Sequence, residues 1–78
     1  MKGGIGMNKR AYKSKMALFG DTNASIAHDM GISPQRNSAK LNGTNGAEYT
    51  CGEIIFHKKR WNLSPEEVDF IFFTDDVS

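Results

Sequence analysis

Cysteine, histidine and proline are scarce in this chain of 78 residues, which contains one Cys, two His and two Pro. A single Cys excludes an intramolecular disulfide, and a lone thiol is typical of a reducing compartment, so we expect the cytoplasm. No apolar run approaches the roughly 18 residues of a membrane span. The polar start MKGGIGMNKR does not have the form of a secretory signal. These absences predict a protein without a membrane partner.

Residues that carry catalysis or bind metals are too few and too far apart for enzyme chemistry. Cys51 and His57 lie six positions apart. That separation is about 240° around a helix, so the two side chains do not share a face. No Cys/His cluster has the spacing of a zinc site. The glycines of MKGGIG precede no Lys-Ser/Thr pair of the kind that a P-loop requires. We therefore expect no catalytic activity, metal, cofactor or small-molecule substrate.

The net charge is only +1, but the charged residues are unevenly distributed. Residues 1–43 carry seven Lys and Arg against two Asp, for a net charge of +5. Residues 44–78 carry three basic against seven acidic side chains, for a net charge of −4. Such an asymmetry indicates a basic face that meets a polyanion, although an unevenly charged surface without a partner is the alternative. The same choice applies to the basic cluster Lys9, Arg10, Lys13 and Lys15.

Capping signals divide the chain into five short helices without a convincing strand. Gly31 ends the second helix, because Gly adopts positive φ at low cost. Ser33 and Pro34 then begin the third helix, expected at about Ser33–Leu41, as N-cap and first helical residue. The remaining signals are Gly20, Thr22, Asn42-Gly43 and the capping-box pairs Thr50/Glu53 and Ser64/Glu67. They predict an all-α fold, a compact bundle over residues 8–73, with a flexible extension at residues 1–7 and a short acidic tail at residues 74–78.

The stretch TNASIAHDMGISPQRNSAKLNG resembles the helix-turn-helix of phage-repressor, Cro-type proteins, often called the XRE-like family. Ala27 and Gly31 stand at the two small signature positions of that motif. The later stretch TCGEIIFHKKRWNLSPEEVDFIFF resembles the last two helices of the family, so the resemblance covers about Lys9 to Phe73. It implies a lambda-repressor-like fold in a repressor-type transcriptional regulator of phage, prophage or bacterial origin. Such a protein acts at the nucleoid as a homodimer on a two-fold-related operator in double-stranded DNA.

The resemblance also implies which residues contact DNA, with the third helix in the major groove. Gln35 is the best base reader, because its amide can donate to and accept from adenine. Arg36 can reach guanine or a phosphate, and Asn23 opens the second helix where relatives contact a phosphate. The full implied set is Asn23, Ser33, Pro34, Gln35, Arg36, Ser38, Ala39, Lys40, Asn42 and Thr44, of which Lys40, Asn42 and Thr44 are expected at the DNA backbone.

Two polar residues occupy positions that are usually apolar in relatives. Asn37 stands where an aliphatic side chain normally packs against the second helix, and His57 lies on the stripe that includes Ile54 and Trp61. The helices could be rotated so that both side chains reach water, the side chains could bond one another in the interior, or the sequence could be an altered variant. Interior bonding is the least favoured, because the sequence identifies no partners. On this basis we expect Asn37→Leu and His57→Ile to raise the unfolding midpoint.

The fifth helix suggests an alternative function. Val68, Ile71 and Phe72 share one face and are expected in the core, which leaves Phe70 and Phe73 exposed on another side. These two aromatics are predicted to form the interface of a homodimer. In the alternative interpretation they bind a different protein, and the chain is a small interaction module such as an antirepressor.

Overall fold

The computed structural model describes residues 7–74 of the chain. This part contains five α-helices and one short 3₁₀ helix, joined by loops. The helices are α1 (Lys9–Phe19), α2 (Asn23–Met30), α3 (Pro34–Asn42), α4 (Cys51–Arg60) and α5 (Pro65–Phe72), and the 3₁₀ helix is Thr44–Gly46. No strand occurs within residues 7–74, so the predicted all-α class is confirmed. None of these helices combines the length and apolar character that crossing a bilayer requires. Apart from Met7 and Thr74, the expected extension and acidic tail lie outside the described residues.

The turn between α2 and α3 is built as the capping signals predict. Gly31 adopts a left-handed conformation with φ of 78°, and the N–H of Ile32 donates to the carbonyl of Ala27 at 3.0 Å. Oγ of Ser33 then accepts from the N–H of Arg36 at 3.1 Å, which caps α3. The capping boxes that begin α4 and α5 are also present. Because the turn is so short, α2 and α3 pack against each other, in the most extensive helix–helix contact of the described chain.

Aromatic rings form the centre of the core. Tyr12 of α1 is completely buried, and its ring lies 5.1 Å from that of Trp61 and 6.1 Å from that of Phe72, both in edge-on contact. Ile26 of α2 and Ile71 of α5 fill the space around these rings. The buried hydrophobic residues are Tyr12, Ile26, Ala27, Leu41, Trp61, Leu63, Ile71 and Phe72. Helix α4 contributes the half-buried Ile54 and Phe56 to this core, and its one completely buried residue, His57, is polar.

Arg60 joins α4 to both ends of α2. Its guanidinium donates to Asp21, just before α2, at 2.6 and 3.0 Å, and to Asp29, near the end of α2, at 2.6 Å. Nε1 of Trp61 donates to the same Asp21 carboxylate at 2.8 Å. The hydrogen bonds from Arg60 are the main reason that the pKa of Asp21 is lowered to about 2. These charge-assisted bonds hold both ends of α2 against the end of α4.

Asn37 and His57, the two polar residues at apolar family positions, are both completely buried. Nδ2 of Asn37 donates to Oδ1 of Asn23 at 2.7 Å, and the hydroxyl of Tyr49 donates to Oδ1 of Asn37 at 2.7 Å. His57 is bonded through Nε2 to the hydroxyl of Tyr12 at 2.7 Å. Within residues 7–74, no buried side-chain nitrogen or oxygen lacks a partner. Both side chains are therefore bonded in the interior, which the sequence favoured least, but to Asn23, the two tyrosines and a backbone carbonyl and not to one another.

These bonds reverse the expected effect of apolar substitution. We expect Asn37→Leu to lower the free energy of unfolding by about 2 kcal/mol, because it removes the acceptor of the 2.7 Å bond from Tyr49 and the donor of the 2.7 Å bond to Asn23. Urea denaturation followed by circular dichroism measures the change. Asn42→Leu makes the same chemical change at an exposed position of α3 and should stay within about 0.5 kcal/mol. A higher midpoint for Asn37→Leu than for the parent protein would contradict the expectation.

Burial of His57 makes stability depend on pH. Its pKa is lowered to about 4, chiefly because the charged ring is disfavoured in the interior. Since the unfolded chain takes up this proton near pH 6.5, the contribution is complete above that pH and is lost as the pH falls toward 4. We expect the free energy of unfolding to drop by about 2 kcal/mol between about pH 7 and pH 5.

Urea denaturation at the two pH values tests this dependence. The variant His57→Gln should lose the dependence in this interval, whereas His28→Gln should retain it, because the side chain of His28 is 89% exposed. Equal stability of the parent protein at both pH values would contradict the analysis.

Candidate nucleic-acid interface

The outer side of α3 borders an open, shallow hollow of about 430 Å³. Gln35 and Arg36 are exposed on this helix, and Ser38 and Ala39 are half-buried. The hollow is lined by Asn23, Pro34, Gln35, Ser38, Ala39, Asn42 and Thr44, each of which the sequence predicts as a DNA contact. No carboxylate is among these lining residues. The hollow therefore offers amide, hydroxyl and methyl groups to a ligand without repelling a negatively charged one.

Asn23 belongs to the hollow, but its side chain is directed at α3. Both hydrogens of its amide point at α3, one to the carbonyl of Pro34 at 2.9 Å and one to Oγ of Ser38 at 3.3 Å. Its Oδ1 accepts from Asn37 at 2.7 Å. The amide is thus occupied by contacts within the protein, and Asn23 joins α2 to α3. A contact with phosphate through its side chain would require breaking one of these bonds.

Lys40 does not lie at the candidate interface, contrary to the prediction from the sequence. Its side chain is 7% exposed, and Nζ lies 3.1 Å from the carbonyl oxygen of Glu48 and 3.1 Å from Oε1 of Glu53. Burial raises the pKa of Glu53, but hydrogen bonds from Thr50 and from Lys40 outweigh it and the net shift is downward. Because its charge is neutralised in the interior, we remove Lys40 from the interface.

Two basic residues of α1, Lys9 and Lys15, lie in different environments. Lys9 lies beside the end of α3, with Nζ 3.4 Å from Oδ1 of Asn42. Lys15 instead forms an ion pair with Glu67 of α5 at 2.8 Å. Lys9 therefore joins the candidate interface and Lys15 does not. The charge pattern alone leaves this division open, because Lys9 and Asn42 are brought together only by the packing of α1 beside α3.

Two further residues support the interface from behind. Asn37 and Tyr49 do not line the hollow, but Asn37 bonds to Asn23, which does, and Tyr49 bonds to Asn37. The polar character of Asn37 at a usually apolar position is the only sign of this arrangement in the sequence. Nothing in the pattern around Tyr49 indicates it.

Large hydrophobic side chains are exposed at the end of α5, as they also are at Leu18, Phe19 and Ile55. Phe70 is 56% and Phe73 is 55% exposed, whereas Ile71 and Phe72 are buried, as the periodicity predicts.

Within residues 7–74, no group of three or more His, Cys, Asp or Glu side chains is placed to hold a metal ion. Comparisons of the chain with protein-family models, with curated proteins and with solved structures return no match. The geometry and chemistry of these surfaces are therefore the basis on which a function is proposed.

The different positions of Lys40 and Arg36 lead to a stability test. We expect Lys40→Ala to lower the free energy of unfolding by about 3 kcal/mol, because it leaves the largely buried Glu53 carboxylate without its cation. Arg36→Ala removes an exposed charge from the same helix and should change the free energy by less than about 0.5 kcal/mol. Thermal and urea denaturation measure both. Equal stabilities of the two variants would show that Lys40 is not held in the interior.

Proposed function

We propose that the protein is a sequence-specific regulator of transcription that binds double-stranded DNA through a helix-turn-helix formed by α2 and α3. The observation that carries the proposal is the outer side of α3, where exposed Gln35 and Arg36 stand beside a hollow without carboxylates. An α-helix fits the major groove, which is about 12 Å wide. In this function α3 is the recognition helix and α2 crosses the DNA backbone. The protein acts without a cofactor, at the nucleoid of a bacterial cell.

The roles of the side chains follow from their chemistry. Gln35 forms a bidentate pair with adenine, and Arg36 pairs with guanine or a phosphate. Ala39 contacts a thymine methyl group, since it has no polar atom. Asn42 and Thr44 lie with Lys9 near the end of α3, where they contact the DNA backbone. Each copy of the protein has only two strong base readers and therefore a low affinity for DNA. Binding thus depends on two copies that occupy a two-fold-related operator.

Phe70 and Phe73 supply the surface for that pairing. Both rings are more than half exposed at the end of α5, and an exposed aromatic pair of this kind is a typical contact between protein chains. We propose a homodimer with these rings at its centre. The proposed function requires such a dimer to place two copies of α3 on one side of the duplex, one helical turn apart.

Selection of bound duplexes from a random pool tests the readout of bases. We expect a two-fold-related preferred site, because the proposed dimer presents two identical helices. Gln35→Ala and Arg36→Ala should each relax the preference at one or two base pairs per half-site and cost about 1–3 kcal/mol in binding. Asn62→Gly, an exposed change outside the candidate interface that suits the positive φ of this residue, serves as the control. No enrichment of any sequence by the parent protein would contradict sequence-specific binding.

The salt dependence of binding tests the role of Lys9. Each phosphate contact releases counterions, so Lys9→Ala should weaken binding to all sequences and reduce the slope of log K against log salt by about 1. Lys15→Ala removes the same charge from the same helix but from the side that faces Glu67, and it should leave the slope unchanged. Equal slopes for the two variants would place the DNA away from the Lys9 end of α3.

The exposed aromatics also support a second function, binding of a different protein, as an antirepressor would. The two functions differ in their dependence on α5. If the protein is an interaction module, it will not retard duplex DNA at low salt, and alanine at Phe70 or Phe73 will abolish capture of its partner. If it is the proposed regulator, the same substitutions will dissociate the dimer in sedimentation experiments and will weaken binding to the whole operator more than to a half-site.

A further inference from the structure

A chain of hydrogen bonds crosses the interior from α4 to the outer side of α3. It begins at the carbonyl oxygen of Glu53, which accepts from Nδ1 of His57 at 2.8 Å, and continues from Nε2 of His57 to the hydroxyl of Tyr12 at 2.7 Å. Its other end is Asn23, whose Nδ2 donates to the carbonyl oxygen of Pro34 at 2.9 Å. Both ends of the chain are therefore backbone carbonyl groups in helices.

Asn37 and Tyr49 connect the two ends. The Tyr49 hydroxyl lies 2.7 Å from Oδ1 of Asn37 and 3.2 Å from the hydroxyl of Tyr12. Nδ2 of Asn37 donates to Oδ1 of Asn23 at 2.7 Å. Because Asn37 is a completely buried residue of α3, its bonds tie the inner side of α3 to α2 and to the segment that precedes α4.

The direction of these bonds is fixed by the carbonyl groups, which only accept. Because Pro34 offers a carbonyl oxygen, Asn23 must turn its NH₂ group toward Pro34 and its Oδ1 toward Asn37. Asn37 must then present its own Oδ1 to Tyr49, so the Tyr49 hydroxyl donates in that bond. Reversing either amide would place two acceptors against each other. The arrangement from Pro34 to Tyr49 therefore has one allowed set of orientations.

We propose that Asn37 and Tyr49 are positioning residues for DNA recognition: their hydrogen bond fixes the Asn37 amide, which in turn binds Asn23 and holds α3 at one position along α2, and so sets where Gln35 and Arg36 enter the groove. An apolar pair at this place would tolerate small shifts, since dispersion contacts have no preferred direction, whereas a hydrogen bond restricts both distance and angle. Buried polar residues serve in other systems to specify register at some cost in stability. This inference rests on the proposed function.

Variants at these two positions separate positioning from stability. Tyr49→Phe removes one hydroxyl and leaves Oδ1 of Asn37 without a donor, and Asn37→Leu leaves the hydroxyl with only the Tyr12 oxygen, at 3.2 Å, as an acceptor. Combining the two substitutions removes both groups, and the freed Oδ1 of the half-buried Asn23 can be hydrated. We therefore expect the double variant to recover most of the unfolding midpoint that each single variant loses.

Discrimination between DNA sequences is the readout that a purely structural role would not change. We expect the ratio of affinities for the selected duplex and for a duplex with changed half-sites to fall about tenfold in Tyr49→Phe, the factor equivalent to one hydrogen bond. The double variant should show the same fall despite its recovered midpoint. Parent-like discrimination in the double variant would overturn the inference, because the bond would then serve stability alone.

Tyr12→Phe is the matched control, since it removes the same atom from a buried tyrosine whose short bond of 2.7 Å runs to His57 of α4, and it leaves the bond between Tyr49 and Asn37 in place. It should lower the unfolding midpoint and leave discrimination unchanged. If Tyr12→Phe lost as much discrimination as Tyr49→Phe, general destabilisation would account for both results and the inference would be wrong.

Amide hydrogen exchange without DNA keeps this inference separate from the proposed function. In Tyr49→Phe and in the double variant, we expect the amides of α3 to exchange about tenfold faster relative to those of α1. In Tyr12→Phe, all helices should change together. A uniform change in Tyr49→Phe would overturn the inference. Faster exchange confined to α3, in a protein that retards no duplex, would support the positioning of α3 and overturn the proposed function alone.

Discussion

The structure depends on one constraint, that polar groups placed in the interior of a very small domain must all find partners. Asn37 is the residue where this constraint is most severe, because its amide is completely buried at the contact of α2 and α3. An unpaired amide there would cost about 1–3 kcal/mol, a large share of the stability of a domain of this size. Asn23 and Tyr49 remove that cost, and their bonds determine how closely the two helices fit.

Two further polar systems lie on either side of this contact. Arg60 binds Asp21 and Asp29 and so holds both ends of α2 to α4, while Lys40 binds Glu53 and holds the end of α3 to the start of α4. In each system a cation pairs with carboxylates of the protein itself and is not available on the surface. Lys40, and Lys15 through its ion pair with Glu67, belong to the first half of the chain, so its basic surplus is not all available to a ligand. What remains at the outer side of α3 is a small set of exposed groups, with Lys9 at one end.

A small number of readers gives the position of α3 unusual weight in the proposed function. When many side chains contact DNA, a small shift of the helix is averaged over many bonds. When Gln35 and Arg36 supply most of the readout, a shift of the helix moves both at once. Polar bonds behind the helix and a dimer contact on α5 are two ways to restore specificity, one by restricting the helix within a copy and one by adding a second copy.

Local signals in the sequence determined the all-α class, the helix boundaries and the exposure of the α5 aromatics. Caps at Gly31 and Ser33 act over three or four residues, and helical periodicity acts over one or two turns, so both are readable without knowledge of the fold. The tertiary structure alone decided that Asn37 is bonded to Tyr49 and that Lys40 is buried against Glu53. The side chains of each pair approach one another only when separate segments of the chain pack together. Whether such a side chain is hydrated or bonded in the interior depends on that packing, and not on the residues next to it in the sequence.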